Sequence, residues 1–410
     1  MQIFAFLEFC PILQIFVYLE FNCHFMIKRS LHTEAKQTAR EFKILCVTGP
    51  RQSGKTTLCK HLFPDKPYVS LEDPDIAEKA QQNGKAFLSQ FKNGAIIDEV
   101  QRVPHLFNYL QGIVDAKHLH NQFILTGSNN FLLQQNISQS LAGRVGYIEL
   151  LPFSLNEIHN QKTIKTAAPA KLILNGFYPA VITKKSSPAR WYDNYIKTYL
   201  EKDVRLLRNI GNIMLFNKFL KLCAARAAQL INVNTLANEV GVDHKTIQAW
   251  LSVLESSYII FFLAPYYNNF NKRVIKSSKL YFYDTGLLCS LLGITTESSV
   301  SKSSMYGHLF ENFIVCEIRK NRLNKEQTGN MYFIRDSTGN EVDIILEKEE
   351  KLLPVEIKSG TKESNLSIKN LKWFQKVFRQ SDGILIYGGE KDKIYENNII
   401  QTGWKNVIDL

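Results

Sequence analysis

Gly49-Pro50-Arg51-Gln52-Ser53-Gly54-Lys55-Thr56-Thr57 is the stretch on which the fold of this chain depends. It follows an apolar run, residues 42–47, that predicts a short buried strand, and it leads into residues 57–62, which predict the start of a helix. A strand, a glycine-bounded loop, Lys-Thr and a helix together form the phosphate-binding loop pattern. The alternative is a glycine-rich turn without a ligand, which the flanking strand and helix make less favourable.

The chemistry of this loop suits a magnesium-bound nucleoside triphosphate. Glycines let the backbone come close to an anion, and N–H groups at a helix N-terminus point towards it. Lys55 supplies a positive charge for the outer phosphates, and Thr56 offers a hydroxyl to Mg²⁺. The sequence therefore predicts that residues 49–57 bind ATP and that Thr56 helps to hold Mg²⁺.

Length and composition indicate a soluble protein of several domains. The chain has 410 residues, too many for one compact core, so two or three domains are expected. A hydrophobic content of 45% and a charged content of 21% are typical of globular proteins. The 50 Lys and Arg residues against 38 Asp and Glu residues give a net charge of +12, which favours an anionic partner, with nucleic acid as the first candidate.

The seven cysteines are scattered, and no pair has the spacing of zinc ligands. We therefore expect reduced thiols in a cytoplasmic protein.

The N-terminal stretch, residues 1–25, differs from the rest because it is apolar and aromatic. A membrane-spanning helix needs about 20 apolar residues, and here Glu8, Pro11 and Glu20 interrupt the run. No basic residue precedes it, which argues against a signal peptide. We interpret residues 1–25 as an over-extended start before Met26, with a membrane anchor as the minority alternative. Mass spectrometry of the native N-terminus would test this interpretation, and a native protein that begins at Met1 would contradict it.

Residues 95–99, Ala-Ile-Ile-Asp-Glu, form an apolar strand that ends in two carboxylates. Downstream of a phosphate loop, such a strand is expected to carry the Mg²⁺ site. Asp98 would hold the water shell of the metal, and Glu99 would act as the general base on the attacking water.

Two further candidates follow on the chain. Residues 122–129 predict another buried strand, after which Ser128 or Asn129 could sense the γ-phosphate; the alternative is a helix cap. Arg144 could be an arginine finger or sensor for phosphate charge, and the alternative is a surface ion pair. A finger that acts in trans would require a homo-oligomer.

These motifs, in this order, resemble those of prokaryotic AAA-type ATPases that carry a C-terminal DUF4143 region. The resemblance extends from about Met26 almost to the C-terminus, and Lys202 stands where the family usually has an arginine. It implies ATP binding and hydrolysis. The stretches that carry it are Gly49–Leu58, Ile96–Pro104, Leu125–Ser128, Leu141–Arg144, Gly176–Pro179, Tyr281–Leu287 and Gly307–Phe313.

Residues 234–251 have a helix-turn-helix pattern: a helix, a turn at Gly241, a capping Asp243 and a second helix. Residues 257–262 and 279–283 would supply the strands of a wing. Such a unit could place His244, Lys245 and Gln248 in the major groove of DNA. The alternative, slightly favoured, is a winged helix that packs on protein.

The C-terminal part begins after residues 295–304, whose Ser and Thr content predicts a linker. A helix at 307–320 carries Glu311, and a hairpin follows. If its turn is centred on residues 348–351, Asp343 lies opposite Glu356. The apolar residues, which we expect on one face, are Val342, Ile344, Leu346, Leu353, Val355 and Ile357. Asp343, Glu356 and Lys358 would share the other face.

Opposed carboxylates on paired strands repel each other unless a cation or a raised pKa relieves them. Asp, followed by Glu-X-Lys on a neighbouring strand, resembles the PD-(D/E)XK nuclease core. The resemblance implies Mg²⁺ on Asp343 and Glu356, with Glu311 as a further ligand and Lys358 as an activator of water. The alternative is a degenerate nuclease fold with a solvated hairpin face.

The predicted fold class is α/β: a P-loop NTPase core of the AAA type, a winged-helix middle domain and a restriction-endonuclease-like α/β C-terminal domain. The expected divisions are an apolar extension (1–25), the ATPase domain (26–160), a helical connector (161–215), the winged-helix-like domain (216–294) and the nuclease-like domain (305–410). Two functions remain: an ATP-hydrolysing enzyme whose C-terminal domain binds or cuts nucleic acid, or an ATP-dependent switch with an inert nuclease-like module.

Overall fold

The structure is a computed structural model that describes most of the chain. The described residues are 27–116, 123–128, 141–159, 167–183, 187–199, 212–266, 277–325, 330–348, 351–362, 367–379 and 382–409. The predictions for residues 1–25, Asn129 and Lys202 lie outside them.

The strands are β1 (Ile44–Thr48), β2 (Tyr68–Ser70), β3 (Ala95–Asp98), β4 (Phe123–Thr126), β5 (Val145–Glu149), β6 (Gln229–Leu230), β7 (Ile260–Pro265), β8 (Lys279–Phe282), β9 (Met331–Arg335), β10 (Glu341–Lys348), β11 (Lys351–Lys358), β12 (Gly383–Tyr387), β13 (Lys393–Tyr395) and β14 (Ile399–Gly403).

The α-helices are α1 (His32–Glu41), α2 (Lys55–Leu62), α3 (Pro74–Gln82), α4 (Gly84–Ser89), α5 (Leu106–Ala116), α6 (Leu155–Ile158), α7 (Pro169–Asn175), α8 (Pro179–Thr183), α9 (Pro188–Tyr195), α10 (Ile213–Ala224), α11 (Val233–Val240), α12 (His244–Ser256), α13 (Thr285–Leu291), α14 (Glu297–Lys302), α15 (Tyr306–Leu323) and α16 (Lys369–Phe378).

The N-terminal region is built on a parallel sheet of strand order β2-β3-β4-β1-β5. β1 is buried along its whole length because helices cover both faces. Ile44 and Cys46 pack into the core on one face, and Leu45 and Val47 into the core on the other. Parallel strands buried on both faces have continuous apolar sequences, which is why β1 and β3 could be predicted.

The middle region contains the predicted helix-turn-helix. α11 ends at Gly241, whose φ of 92° is left-handed, and the Asp243 side chain accepts a hydrogen bond from Thr246 N–H at 2.9 Å to cap α12. β7 and β8 pair in antiparallel, and β6 pairs with β8. The order along the chain is therefore a helix (α10), a short strand, two helices and a two-stranded hairpin.

The sheet of the middle region continues into the C-terminal region. β7 pairs with β9 in parallel, with Ala264 opposite Tyr332, which gives the strand order β13-β14-β12-β11-β10-β9-β7-β8-β6. One hydrophobic core runs through both regions and includes Phe219, Tyr281 and Phe313. The two regions are thus one continuous body with a shared core.

Two sequence predictions for this part were wrong. Residues 295–304 are not an open linker, because Thr296 caps α14 by accepting a hydrogen bond from Ser299 N–H at 3.1 Å. Val342 does not share the face of Ile344, because the pairing of β10 with β9 is irregular between Val342 and Ile345. Val342 packs instead in the small core around Phe374.

The register of the hairpin was predicted correctly. Ile344 lies opposite Val355 and Leu346 opposite Leu353, so Asp343 and Glu356 come next in the same register.

The described part of the chain includes five cysteines, all buried and free: Cys46, Cys59, Cys223, Cys289 and Cys316. Among the described helices, none combines the length and the apolar character needed to cross a bilayer.

Candidate nucleotide site and carboxylate cluster

The phosphate-binding loop leaves the carboxyl end of β1 at the centre of the parallel sheet. Gly49 has a φ of 139°, and a Cβ there would collide with the carbonyl oxygen of Leu150, so only glycine fits. Gly54 has a φ of 97° and precedes α2. The Ser53 hydroxyl is buried and has no hydrogen-bond partner among the described residues. The donors of this loop therefore fit an anionic ligand.

Lys55 is buried at the first position of α2. Its Nζ donates to the carbonyl oxygens of Gly49 and Pro50, both at 2.9 Å. Burial lowers the pKa of Lys55 to about 8, although the nearby carboxylates of Glu99 and Asp98 favour its charged form. The charge of Lys55 is thus weakly stabilised in the protein without nucleotide.

Asp98 ends β3 at the same edge of the sheet and accepts hydrogen bonds from three hydroxyls. Thr56 Oγ1 donates to Oδ2 at 2.9 Å, Tyr68 Oη donates to Oδ2 at 2.8 Å, and Thr126 Oγ1 donates to Oδ1. Burial, together with this bond to Asp98, raises the pKa of Tyr68 to about 12. The sequence did not predict Tyr68 and Thr126 as site residues, although both lie on strands, β2 and β4, that pair directly with β3.

Glu99 follows Asp98 in the left-handed conformation, with a φ of 55°, and is buried. Its Oε2 accepts hydrogen bonds from Gln101 Nε2 and, at 3.3 Å, from Ser128 Oγ. The structure therefore brings Ser128 to Glu99, as one would expect of two residues at the same site. Gln101 was not predicted, and its spacing of two from Glu99 is the signal that could have indicated it.

Arg51 extends from the loop towards residues outside it. Its guanidinium lies 5.4 Å from the ring centroid of Tyr199, and Nη2 is 3.8 Å from Glu72 Oε1.

Arg144 does not reach this site. It precedes β5, and its carbonyl oxygen accepts a hydrogen bond from Ile44 N–H at the start of β1. In a parallel sheet, this is the edge opposite to the one where the loop leaves β1. Its guanidinium forms a two-pronged, half-exposed pair with Asp115, at 2.7 and 2.8 Å. A finger or sensor role towards the nucleotide of its own chain is therefore wrong, and the surface ion pair is correct.

The middle region touches the root of the phosphate-binding loop. Tyr258, which has a φ of 58°, donates its hydroxyl to Thr48 Oγ1 at 2.8 Å, and the contact is buried. Thr48 is the last residue of β1, immediately before Gly49. A second contact joins α15 to the parallel-sheet region: Lys320 Nζ donates to the Phe153 carbonyl oxygen at 2.9 Å.

The predicted DNA-reading residues lie on the surface. His244, Lys245 and Gln248 are all exposed on the first turns of α12. They share this end of the helix with the carboxylate of Asp243, which is held by Thr246.

The later family motifs meet in a buried structural cluster. Asp284 accepts hydrogen bonds from Phe177 N–H at 2.7 Å and from Leu287 N–H at 2.9 Å, and thereby caps α13. Asn312 of α15 bonds both the N–H and the carbonyl of Phe282, at 2.8 and 2.9 Å. These residues hold the middle and C-terminal regions together.

The C-terminal carboxylates are brought together, though each is already engaged. Asp343 Oδ2 accepts a hydrogen bond from Ile357 N–H at 2.8 Å. Glu356 Oε1 accepts from Lys358 Nζ at 2.6 Å and from Asn370 Nδ2 at 3.1 Å. Burial, and next the charge of Asp343, raise the pKa of Glu356. Its Oε2 is buried without a hydrogen-bond partner among the described residues.

Lys279 of β8, which was not predicted, lies in the middle of this cluster and is only 3% exposed. Its Nζ is 3.0 Å from Glu311 Oε1, 2.5 Å from Glu341 Oε1 and 3.7 Å from Asp343 Oδ1. Burial raises the pKa of Glu311, with a further increase from Asp343, while Lys279 opposes the shift.

The structure therefore contains no preformed metal site on Glu311, Asp343 and Glu356. Within the described ranges, no three His, Cys, Asp or Glu side chains are placed to hold a metal ion. The Lys279 ammonium lies instead among the carboxylates of Glu311, Glu341 and Asp343.

Three family models match successive parts of this chain. Residues 41–159 match the AAA domain, residues 166–298 a domain of unknown function (DUF8612), and residues 306–405 a domain of unknown function (DUF4143). An uncharacterized protein of Mycobacterium tuberculosis is 27% identical over 340 residues, which cover 82% of this chain and 75% of that protein.

An uncharacterized protein of Methanocaldococcus jannaschii is 26% identical over 369 residues, covering 82% of this chain and 79% of that protein. Among solved structures, a Walker-type ATPase of Pyrococcus abyssi aligns with a TM-score of 0.45 at 14% identity, covering 65% of this chain and 96% of the other.

Proposed function

We propose that this chain, whose residues 41–159 match the AAA domain and whose residues 306–405 match DUF4143, binds Mg·ATP at residues 49–57 and hydrolyses it. The observation that carries the proposal is the convergence of Lys55, Thr56, Asp98 and Glu99 at one edge of the parallel sheet. Lys55 and Thr56 begin α2, Asp98 ends β3, and Glu99 follows Asp98 directly.

Each residue has a role that its chemistry supports. The N–H groups of the loop and Lys55 bind the phosphates. Thr56 and Asp98 would hold Mg²⁺, which neutralises phosphate charge when it is bound. Tyr68 and Thr126 orient Asp98 through their hydroxyls. Glu99 removes a proton from the attacking water, and Gln101 and Ser128 orient its carboxylate.

The test is a phosphate-release assay with purified protein, together with calorimetry of ATP binding. Lys55→Ala should abolish binding, whereas Tyr109→Ala, an exposed side chain on α5, should preserve it. A well-folded wild-type protein that binds no ATP would refute the proposal.

We propose further that the helix-turn-helix unit binds DNA. Three features support this: the order of helices and strands from α10 to β8, which is that expected for a winged helix; the exposure of His244, Lys245 and Gln248; and the surplus of positive charge. Contacts with phosphates release counterions, so binding should weaken steeply as salt is raised. Binding that is absent or insensitive to salt would leave the packing role for this unit.

The C-terminal region is proposed to be a nuclease-like module, and Lys279 favours the version of this proposal in which the module is inert. The ammonium lies 3.0 Å from Glu311 and 3.7 Å from Asp343, two of the carboxylates that the nuclease resemblance assigns to Mg²⁺. A metal-dependent cleavage assay, with and without ATP, separates the two versions. Cleavage that is lost in both Asp343→Ala and Lys358→Ala would establish a catalytic module, and no cleavage would establish an ATP-dependent switch or scaffold.

A further inference from the structure

The carboxylate cluster of the C-terminal region contains three acidic side chains around the Lys279 ammonium and a fourth, that of Glu356, next to Asp343. Glu311 comes from α15, Glu341 and Asp343 from β10, and Glu356 from β11. Lys279 reaches Glu311 and Glu341 within hydrogen-bond distance, and Asp343 Oδ1 lies 3.7 Å from its ammonium. Lys358 is engaged with Glu356 at 2.6 Å.

The ammonium and a divalent ion would compete for one position. Mg²⁺ binds carboxylate oxygens at about 2.1 Å. An ion shared by Glu311 Oε1 and Glu341 Oε1 would have to lie between them, where Lys279 Nζ already lies 3.0 and 2.5 Å from these atoms. The two cannot be present together.

Lys279 is held in place by the fold. Its backbone lies within the sheet, opposite Leu263 of β7 and Leu230 of β6. Two residues further along β8, on the same face, Tyr281 donates its hydroxyl to the same Glu311 oxygen at 2.7 Å. One strand therefore supplies two donors to a carboxylate that the nuclease resemblance would assign to a metal.

We propose that the Lys279 ammonium is the resident cation of this pocket, so that the native protein binds no divalent metal there and removal of this one amine creates a divalent-metal site. The carboxylates released would be those of Glu311, Glu341 and Asp343, which the ammonium contacts. Glu356 lies next to Asp343, and its Oε2 is already buried and unpartnered among the described residues. The inference concerns the C-terminal pocket alone and does not depend on ATP hydrolysis.

The experiment measures Mn²⁺ binding by electron paramagnetic resonance, without nucleotide, to full-length wild type, Asp343→Asn, Lys279→Met and Lys279→Met/Asp343→Asn. Any Mn²⁺ binding by the wild type should be unchanged in the Asp343→Asn variant. Lys279→Met should bind one Mn²⁺ per chain at least ~10-fold more tightly than wild type, because the ligand charge is no longer neutralised. The double variant should lose the gain.

Lys320→Met is the matched control. Lys320 lies on α15 and is buried like Lys279, but its ammonium pairs with only one carboxylate, that of Glu317, at 2.8 Å. It should create no site. If Lys279→Met fails to fold, Lys279→Met/Glu341→Gln removes one negative charge with the positive one and should bind Mn²⁺ in the same way.

Wild-type binding that Asp343→Asn abolishes would overturn the proposal, and so would a folded Lys279→Met protein that binds no Mn²⁺. Neither outcome would affect the ATP site, which lies on a different sheet.

Discussion

Lys55 should make ATP binding depend on pH, because its pKa is low before the nucleotide arrives. Burial lowers this pKa from 10.5 to about 8 in the free protein. A bound triphosphate places negative charge against the amine and should return its pKa towards the ordinary value. At a pH between these two pKa values, the complex holds one proton more than the free protein, so the affinity for ATP must fall as pH rises.

The magnitude follows from the same shift. Each pH unit between the two pKa values corresponds to about 1.4 kcal/mol, or tenfold in affinity, so the whole window of about 2.5 units amounts to roughly 3.5 kcal/mol. The phosphates themselves are fully ionised above about pH 8, since their last pKa is near 6.

Calorimetry of nucleotide binding in buffers of different ionisation heat gives the number of protons taken up. We expect about half a proton near pH 8 and close to one near pH 9. Lys55→Arg keeps its charge at all these pH values, so its affinity, although weaker, should be independent of pH. Flat affinity across the window with no proton uptake by the wild type would mean that Lys55 is charged in the free protein, and the reasoning would be refuted.

Four further predictions concern single side chains. Glu99→Gln should retain ATP binding but lower the rate of phosphate release by roughly 10²–10⁴-fold, because it removes the base; an unchanged rate would exclude that role. Arg144→Ala should leave the rate of phosphate release within about twofold, since only an exposed ion pair is lost; a large loss that appears only where the protein is oligomeric would indicate a finger acting in trans. Gly176→Ala should lower the free energy of unfolding, measured by chemical denaturation, by about 3 kcal/mol, because the added Cβ would collide with Tyr192 and Asp284. Gly241 is also left-handed but faces open space, so Gly241→Ala should lower it by only about 1 kcal/mol. Equal losses in the two variants would contradict the steric argument. Lys245→Ala should weaken DNA binding and reduce the slope of log affinity against log salt by about 1 in a titration series, and an unchanged slope would remove Lys245 from the interface.

The parts that could be predicted from the sequence are those that local rules determine. β1, the loop and α2 follow from an apolar run, two glycines and a helix start within twenty residues. The turn of the helix-turn-helix follows from Gly241 and Asp243, which end one helix and cap the next. The hairpin register follows from the alternation of apolar residues on two adjacent strands.

The parts that could not be predicted depend on contacts between distant segments. The position of Arg144 follows from the parallel pairing of β5 with β1, about a hundred residues away along the chain, and nothing near Arg144 indicates that edge. Lys279 enters the carboxylate cluster because β8 lies beside α15, and its spacing of 32 from Glu311 has no periodic signal. Composition alone also misjudged residues 295–304, where one threonine cap is enough to begin a helix.

The parallel pairing of β7 with β9 has a mechanical consequence. β7, the first strand of the hairpin after α12, also belongs to the C-terminal sheet, so α12 and the pocket around Lys279 are connected through one continuous sheet. Turning one against the other would require rupture of main-chain hydrogen bonds at Ala264 and Tyr332. A displacement of Thr48 that is passed on to Tyr258 would therefore move α12 and the acidic pocket together.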